Sequence, residues 1–346
     1  MSICRYPKNR DEEAIKSTES ERERMLQRKI FYQLKPFIPR RYQLALRSAV
    51  IKRKLESVSP VWPIDPASSK KPKNWGGWPD GKRFAVVLTH DVERAGGQDK
   101  SYQVAHIEHA LGFRSAFNLV PERYEVSPDL RAFLSRMGFE VGVHDFNHDG
   151  KLFSSYKIFK ERAPLINGYL KEWGACGFRA GAMHHNLDWI GELDVAYDCS
   201  TFDTDPFEPQ PDGVGTIFPF SVDRGVGKLP YIELPYTLPQ DFTLFVLLRE
   251  KTFSIWKKKL DWIAEEGGMV LLNTHPDYMS FHGDVCGYEQ YEACLYEEFL
   301  EYLLCRYEGE YWNALPREAA RFCQSSIGPD AECGEKNERL KTGRYV

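Results

Sequence analysis

The sequence predicts an α/β protein built on an incomplete β/α barrel. From Lys82 onward strand-like stretches, rich in apolar, β-branched and aromatic residues, alternate with helix-like ones, which is the pattern of a β/α fold. Seven stretches qualify as strands, one fewer than in a complete barrel. With 346 residues, of which 42% are hydrophobic and 14% aromatic, the chain can bury one large core.

The predicted elements follow in a regular order. Strands are predicted at residues 84–88, 115–119, 139–143, 176–179, 195–200, 231–235 and 269–274, and helices between them at 102–111, 155–171 and 253–266. The carboxyl ends of parallel barrel strands share one face, and that face carries the active site. Titratable side chains collect at these ends, namely Asp91, His144, Arg179, Asp203 and His275.

Three regions are predicted along the chain. Residues 1–78 form a charged N-terminal extension with a Pro- and Trp-rich connector, residues 79–323 the catalytic barrel, and residues 324–346 a polar, disordered tail. Residues 25–55 carry nine Lys or Arg and no acid between apolar side chains, and Pro36 and Pro39 divide them into two amphipathic pieces. This segment either packs on the barrel, which we favour, or makes peripheral contact with an anionic membrane.

Composition excludes several classes of protein. A net charge of −4 and the lack of a basic-aromatic motif give no reason to expect nucleic acid as a partner. Nowhere do about 18 apolar residues run together, so no transmembrane segment is expected. The N-terminus lacks the apolar core of a signal peptide. The eight cysteines form no metal or disulfide pattern, which is typical of reduced thiols in a cytoplasmic protein.

Two polar clusters at predicted strand ends indicate a metal site. His144 and His148 are four residues apart, so their imidazoles fall on one face if the chain turns helically after the strand. Taken alone, such a pair is more often two surface or core histidines than a metal site. Asp91 and Glu93 follow another strand, where a carboxylate would complete a set of two histidines and one acid with open positions.

The order of the motifs resembles that of the polysaccharide deacetylases, the NodB-homology group of carbohydrate esterase family 4. The motifs are Thr89-His90-Asp91-Val92-Glu93, His144 to His148, Gly177-Phe178-Arg179, Asp203-Thr204-Asp205 and Leu272-Asn273-Thr274-His275. The resemblance implies a distorted (β/α)7 barrel, a divalent metal held by an acid and two histidines, and removal of N- or O-acetyl groups from carbohydrates. The stretch His184-His185-Asn186 resembles a subgroup of exopolysaccharide and lipopolysaccharide biosynthesis proteins.

The resemblance also implies roles in the metal site. His144 and His148 match the metal-binding pair and Asp91 the catalytic base. Either Glu93 is the third ligand and Asp91 the base, or Asp91 binds the ion and the base is left unassigned; Glu93 is one methylene longer than the usual ligand. Zn²⁺ is the expected ion, with Co²⁺, Ni²⁺ or Mn²⁺ as alternatives.

Further roles follow in the same way. Arg179 matches the arginine that orients the base. His275 matches the histidine that protonates the leaving group, and Asp205, or else Asp203, the acid that supports it. His184 and His185 either line the sugar site or cap their own loop.

The expected function is that of a cytoplasmic, metal-dependent carbohydrate deacetylase, a hydrolase of carbon–nitrogen bonds other than peptide bonds. Its substrate would be an N-acetylated glycan, lipid-linked or nucleotide-linked, in surface-glycan or exopolysaccharide metabolism. One alternative is a metal hydrolase of the same fold that acts on a non-carbohydrate amide. The other is a catalytically silent glycan-binding protein, for which Glu93 in place of the usual aspartate is the support.

Overall fold

The computed structural model describes residues 39–58, 62–210, 212–225 and 227–326. By their internal contacts, residues 1–50 and residues 51–346 form two units. The first unit is described only from residue 39 to residue 50, within helix α1 (Arg40–Val58). The predicted tail lies outside the described residues from residue 327 on, and the domain boundary predicted after residue 78 stays a prediction.

A curled, largely parallel sheet forms the core of the second unit. Its strands, with a separate pair β9 and β10, are β1 (Phe84–Val92), β2 (Ser115–Leu119), β3 (Glu140–His144), β4 (Gly177–Arg179), β5 (Tyr197–Asp198), β6 (Phe220–Val222), β7 (Tyr231–Glu233), β8 (Met269–Thr274), β9 (Met279–Ser280), β10 (Tyr291–Glu292) and β11 (Tyr311–Asn313). Within the described ranges, seven parallel strands run β8, β1, β2, β3, β4, β5, β7. They correspond to the seven predicted strands, and the predicted distorted barrel is confirmed.

The seam between β7 and β8 is closed by the segment that follows β7. The backbone N–H groups of Thr237 and Leu238 donate to the Leu271 carbonyl at 3.0 and 3.2 Å. In return the Leu271 N–H donates to Thr237 Oγ1 at 2.9 Å. Elsewhere β6 pairs antiparallel with β7, and β11 pairs with the first residues of β1.

The helices of the second unit lie around its sheet, and several begin or end at local sequence signals. After α1 they are α2 (Ala95–Ala110), α3 (Pro128–Arg136), α4 (Tyr156–Trp173), α5 (Leu187–Ile190), α6 (Ser254–Glu266), α7 (Cys294–Tyr307) and α8 (Pro316–Ser326). Helix α4 shows both signals, because Ser155 Oγ accepts from the Ile158 N–H and Gly174 ends the helix at φ 63°. The three predicted helices correspond to α2, α4 and α6.

Strand β1 brings the polar residues at its end to the interior. All nine of its residues are buried, as the apolar run predicts. Side chains alternate along a strand, so Asp91 faces the barrel and His90 faces the helices. His90 Nε2 lies 2.8 Å from Glu108 Oε1 on α2, and His90 Nδ1 lies 2.7 Å from Thr274 Oγ1 on β8. His90 therefore connects β1 to α2 and to β8.

The basic segment predicted at residues 25–55 is only partly described. Residues 25–38 lie outside the described residues, and residues 40–55 belong to α1. None of the helices in the described ranges combines the length and the apolar character that crossing a bilayer requires. Six cysteines in these ranges, from Cys176 to Cys323, have free thiols.

Candidate metal and catalytic centre

Four parallel strands bring the predicted site residues to one edge of the barrel. Asp91 lies near the end of β1 with Glu93 just beyond it, His144 ends β3, Arg179 ends β4, and His275 follows β8. Because these strands are parallel, their carboxyl ends meet.

Glu93, His144 and His148 form a candidate metal site. Each offers one ligand atom, and these atoms all lie within 4.8 Å of one another. Two imidazole nitrogens and a carboxylate, with further positions open, form a donor set typical of catalytic zinc. In the part of the chain that the structure describes, the Nε2 atoms of both histidines are buried and lack a hydrogen-bond partner. The residues present therefore fit a divalent cation.

The pKa shifts of Glu93 and His144 suit a cation, whereas the shift of His148 opposes one. Burial opposes charge on Glu93, but the nearby His148, with Nε2 3.3 Å from Glu93 Oε1, lowers the Glu93 pKa well below its usual range. Burial lowers the pKa of His144, which keeps that imidazole neutral. Burial also opposes charge on His148, but Glu93 outweighs it and raises the His148 pKa. A cation at this site would have to compete with a proton for His148, so its binding should strengthen as the pH rises.

Neighbouring groups fix the orientation of the ligands. His144 Nδ1 lies 3.1 Å from the Arg179 carbonyl, so an N–H there leaves the Nε2 lone pair facing the cluster. Tyr278 donates its hydroxyl to Glu93 Oε2 at 3.1 Å, and the Glu93 N–H donates to Asp277 Oδ2 at 2.8 Å. Neither Tyr278 nor Asp277 was predicted from the sequence to hold Glu93 in place.

His148 reaches the site from a loop and not from the helical turn considered from its spacing. Asp145 and His148 both have left-handed backbone conformations, with φ of 57° and 54°. The loop is packed tightly, since a Cβ on Gly181 would come 2.2 Å from Asp145 Oδ2 and 3.1 Å from His148 Cδ2. Such conformations persist in non-glycine residues only where the surroundings impose them.

Asp91 is held beside the candidate metal site by two amides. Asn118 Nδ2 donates to Asp91 Oδ1 and Asn273 Nδ2 donates to Oδ2, both at 2.9 Å. Asp91 Oδ2 lies 3.9 Å from His144 Nε2. Burial alone would raise the pKa of Asp91, but Arg179 and His144 outweigh it and lower that pKa to about 2. Asp91 is therefore ionised at neutral pH.

Arg179 contacts the carboxylate that it is predicted to orient. Its Nε lies 3.4 Å from Asp91 Oδ1, and its guanidinium also donates to Thr89 Oγ1 at 2.9 Å. The side chain is fully buried. Burial works against the charge of the guanidinium, but Asp91 more than offsets this and raises the Arg179 pKa.

The acid that supports His275 is Asp241, so the prediction of Asp205 or Asp203 is wrong. Asp241 Oδ1 lies 2.7 Å from His275 Nδ1, and Asp241 Oδ2 accepts the His275 N–H at 2.8 Å. Asp203 instead pairs with Lys259, whose Nζ lies 2.6 Å from its Oδ2. Although burial disfavours the charged imidazole, Asp241 raises the pKa of His275 to about 10.

Asp205 hydrogen-bonds within its own loop. Its Oδ1 accepts the Phe207 N–H at 2.9 Å, two residues along the chain. The loop after β5 thus gives Asp203 and Asp205 other partners, whereas the segment after β7 brings Asp241 into contact with His275. The sequence does contain an acid after the predicted strand 231–235, and this could have indicated Asp241 as the partner of His275. Five residues separate Asp241 from that strand, however, so it does not stand at the predicted strand end.

His185 makes its contacts within nearby loops. His185 Nδ1 lies 2.9 Å from the Met183 carbonyl and its Nε2 lies 3.5 Å from Asp212 Oδ2. These contacts agree with the loop-capping alternative for His185. His184 is half-buried, and its role in sugar binding stays a prediction.

Comparison with known proteins identifies the fold. No family model matches the sequence, and no curated protein matches it significantly. Among solved structures, a protein described as a polysaccharide deacetylase from Mycobacterium smegmatis is similar, with a TM-score of 0.59, 16% identity, and alignment over 74% of this chain and 96% of that one. A second such protein, from Pseudomonas aeruginosa PAO1, has a TM-score of 0.56 and 13% identity over 77% and 96% of the two chains. The chain has the polysaccharide deacetylase fold.

The same fold also occurs in a protein with a different name. Puue allantoinase aligns with a TM-score of 0.60 and 15% identity, over 76% of this chain and 98% of that chain. At such sequence identities the proteins share a fold, and a shared fold does not imply a shared reaction. The reaction therefore depends on the residues of the site and not on the fold.

Two asparagines in the centre also had no predicted role. Asn118 and Asn273 lie in β2 and β8 among buried residues, and both point their amides at Asp91. Buried polar side chains require partners, so an asparagine inside an otherwise apolar predicted strand is a signal for a polar centre.

Proposed function

We propose that the chain is a divalent-metal-dependent hydrolase that removes acetyl groups, first of all N-acetyl groups, from a carbohydrate. The observation that carries the proposal is the set of Glu93, His144 and His148, with ligand atoms within 4.8 Å, beside the ionised Asp91 and the charged His275. This arrangement offers a cation site, a base and an acid at one edge of a barrel.

Glu93, His144 and His148 would hold the cation, with Zn²⁺ as the first candidate. When bound, such an ion polarises an acyl carbonyl and lowers the pKa of water. We favour Glu93 over Asp91 as the carboxylate ligand, because Glu93 belongs to the clustered ligand atoms and both oxygens of Asp91 accept amide hydrogen bonds.

Asp91 would act as the base. As the water oxygen bonds to the acetyl carbon, its proton passes to the Asp91 carboxylate. Arg179 and the two amides hold the carboxylate in place, so little reorganisation accompanies the transfer.

His275 would act as the acid. When the carbon–nitrogen bond breaks, the leaving nitrogen takes a proton from the imidazolium, and acetate and an amine are released. Asp241 holds His275 through Nδ1, so the Nε2 proton is the one available for transfer.

The biological setting is proposed from the motifs and from the cysteines. The resemblance of the motifs points to glycans of surface or exopolysaccharide metabolism, lipid-linked or nucleotide-linked. The free thiols of the described cysteines are typical of a reducing compartment, so we place the activity in the cytoplasm.

A second candidate is hydrolysis of a non-carbohydrate amide. The likeness to an allantoinase, which aligns over nearly its whole length, favours it. The same cation site, base and acid would serve this reaction. A silent glycan-binding protein is the third candidate, and the preserved Asp91, Arg179 and His275 argue against it.

Release of acetate from N-acetylglucosamine oligosaccharides, measured before and after removal of metal by a chelator, tests the proposal. An O-acetylated oligosaccharide and allantoin are assayed in parallel. Chelator-sensitive acetate release that His148→Ala abolishes would support the proposal. The matched control is His106→Ala on α2, a histidine that packs on Phe133 away from the centre. Hydrolysis of allantoin alone would favour the second candidate, and glycan binding without hydrolysis the third.

A further inference from the structure

A chain of side-chain amides leads from Asp91 to a surface loop. Asn273 Nδ2 donates to Asp91 Oδ2 at 2.9 Å and to Gln240 Oε1 at 3.3 Å. Gln240 Nε2 in turn donates to Glu208 Oε1 at 2.7 Å. Asn273 and Gln240 are buried, whereas Glu208 is half-buried in the loop after β5.

The two carboxylates at the ends determine which way both amides face. A carboxylate only accepts hydrogen bonds, so each must meet the NH₂ group of its neighbouring amide. With its NH₂ turned to Glu208, Gln240 presents its oxygen to Asn273. Asn273 can then point both amide hydrogens at acceptors, one of which is Asp91. Donors and acceptors therefore match along the whole amide chain from Glu208 to Asp91.

We infer that Glu208 is a positioning residue for the base, acting through Gln240 and Asn273. The inference rests on the proposed function, since it takes Asp91 as the base. Glu208 lies in a different loop from the metal ligands and from His275. Its contribution is to keep the Gln240 amide from turning over, which secures the hydrogen bond from Asn273 to Asp91 Oδ2.

Glu208→Gln is the sharpest perturbation because it changes the polarity of the end group and keeps its size. A glutamine at this position can donate to Gln240, so the Gln240 amide can adopt either orientation. In the reversed orientation two NH₂ groups face each other and Asn273 loses an acceptor. We expect kcat to fall about tenfold, with KM nearly unchanged, because misplacement of a base affects the transition state more than binding.

A double-mutant comparison tests the connection. kcat and KM are measured by acetate release for Glu208→Gln, for Gln240→Leu and for the double variant. If both residues act through the same amide chain, the double variant loses no more kcat than the worse single variant. Multiplied losses in the double variant would overturn the inference.

Two other variants separate positioning from general loop stability. Tyr236→Phe removes a hydroxyl that donates to the same Glu208 oxygen at 2.7 Å, but leaves the amide chain intact. It should lose clearly less activity than Glu208→Gln, and an equal loss would overturn the inference. Glu192→Gln is the control at a distance, because Glu192 also accepts a tyrosine hydroxyl, from Tyr156 at 2.7 Å, and it should keep wild-type kcat.

A substrate-free measurement keeps this test apart from the proposed function. In the resting protein, the side-chain amide resonances of Asn273 and Gln240 should shift, and their hydrogens exchange faster, in Glu208→Gln than in Glu192→Gln. If these changes appear but the wild type releases no acetate, the amide chain stands and the proposed function falls. If the wild type is active and Glu208→Gln matches it in kcat and in resonances, the positioning role falls and the proposed function stands.

Discussion

Replacing Asp241 by asparagine tests whether His275 protonates the leaving group. Asparagine keeps the size of the side chain and an acceptor for His275 Nδ1, but it removes the negative charge 2.7 Å from the ring. The pKa of His275 is about 10, against an ordinary value of 6.5. At about 1.4 kcal/mol per pH unit, this preference for the charged ring is on the order of 5 kcal/mol. Burial alone disfavours the charge, and Asp241 is the largest of the groups that raise the pKa, ahead of Glu93 and Asp91.

The sign of the effect on activity follows from the role of the acid. A general acid works while it is protonated, so activity is present below its pKa and lost as the pH rises through it. Asp241→Asn lowers that pKa, and the alkaline limb of kcat/KM should move to lower pH by about two pH units or more. A bound cation would lower the pKa in both proteins alike, so the displacement between them is the quantity to measure.

The assay is acetate release between pH 5 and pH 11 with the wild type, Asp241→Asn and a control. Asp261→Asn is the matched control, because Asp261 also accepts hydrogen bonds, from Tyr302 and Tyr307 at 2.7 and 2.8 Å, but at a distance from the centre. The control should keep the wild-type profile. An alkaline limb that stays in place in Asp241→Asn, with activity reduced equally at every pH, would refute the assignment of His275 as the acid.

The remaining predictions concern the metal site, the acidic pair and the N-terminal segment. His148→Ala should lose the bound ion and nearly all hydrolysis with an unchanged circular dichroism spectrum, and stoichiometric metal by elemental analysis would contradict this. Asp91→Asn should keep the metal and lose turnover, whereas Glu93→Gln should lose metal affinity; a crystal structure with Asp91 on the ion would reverse the two roles. In liposome flotation, we expect neither the full-length protein nor a chain starting at Pro79 to bind. Salt-sensitive binding by the full-length protein alone would show membrane contact through residues 25–55.

The fold could be predicted because its strands are buried on both faces. Strand β1 is buried at all nine residues, and its first five, at positions 84–88, appear in the sequence as a continuous apolar run. The polar residues near the carboxyl ends of such strands, Asp91 and His144, could be placed with them, since parallel strands fix which edge they share. Strand ends were less accurate, because β5 and β7 keep only two and three residues of ladder before irregular segments begin.

The supporting contacts could not be predicted because they depend on the paths of loops. Asp241 and His275 are 34 residues apart, and Asn273 and Asp91 are 182 apart. Asp205 carries the acid of the predicted motif, but the backbone after β5 directs that acid to the Phe207 N–H. A short motif specifies residue types. The partner of a buried histidine such as His275 depends on the path of a loop that is distant in sequence.

The seam between β7 and β8 is closed by the segment after β7 and not by a strand ladder. The ladder of β1 and β8 has six residue pairs in register, whereas Thr237 and Leu238 close the seam with a few hydrogen bonds to Leu271. The same segment carries Asp241 three residues after Leu238, and His275 directly follows β8, so one stretch of backbone connects the barrel seam with the carboxylate that contacts His275. A substitution that displaced this segment would therefore change the closure of the barrel and the pKa of His275 together.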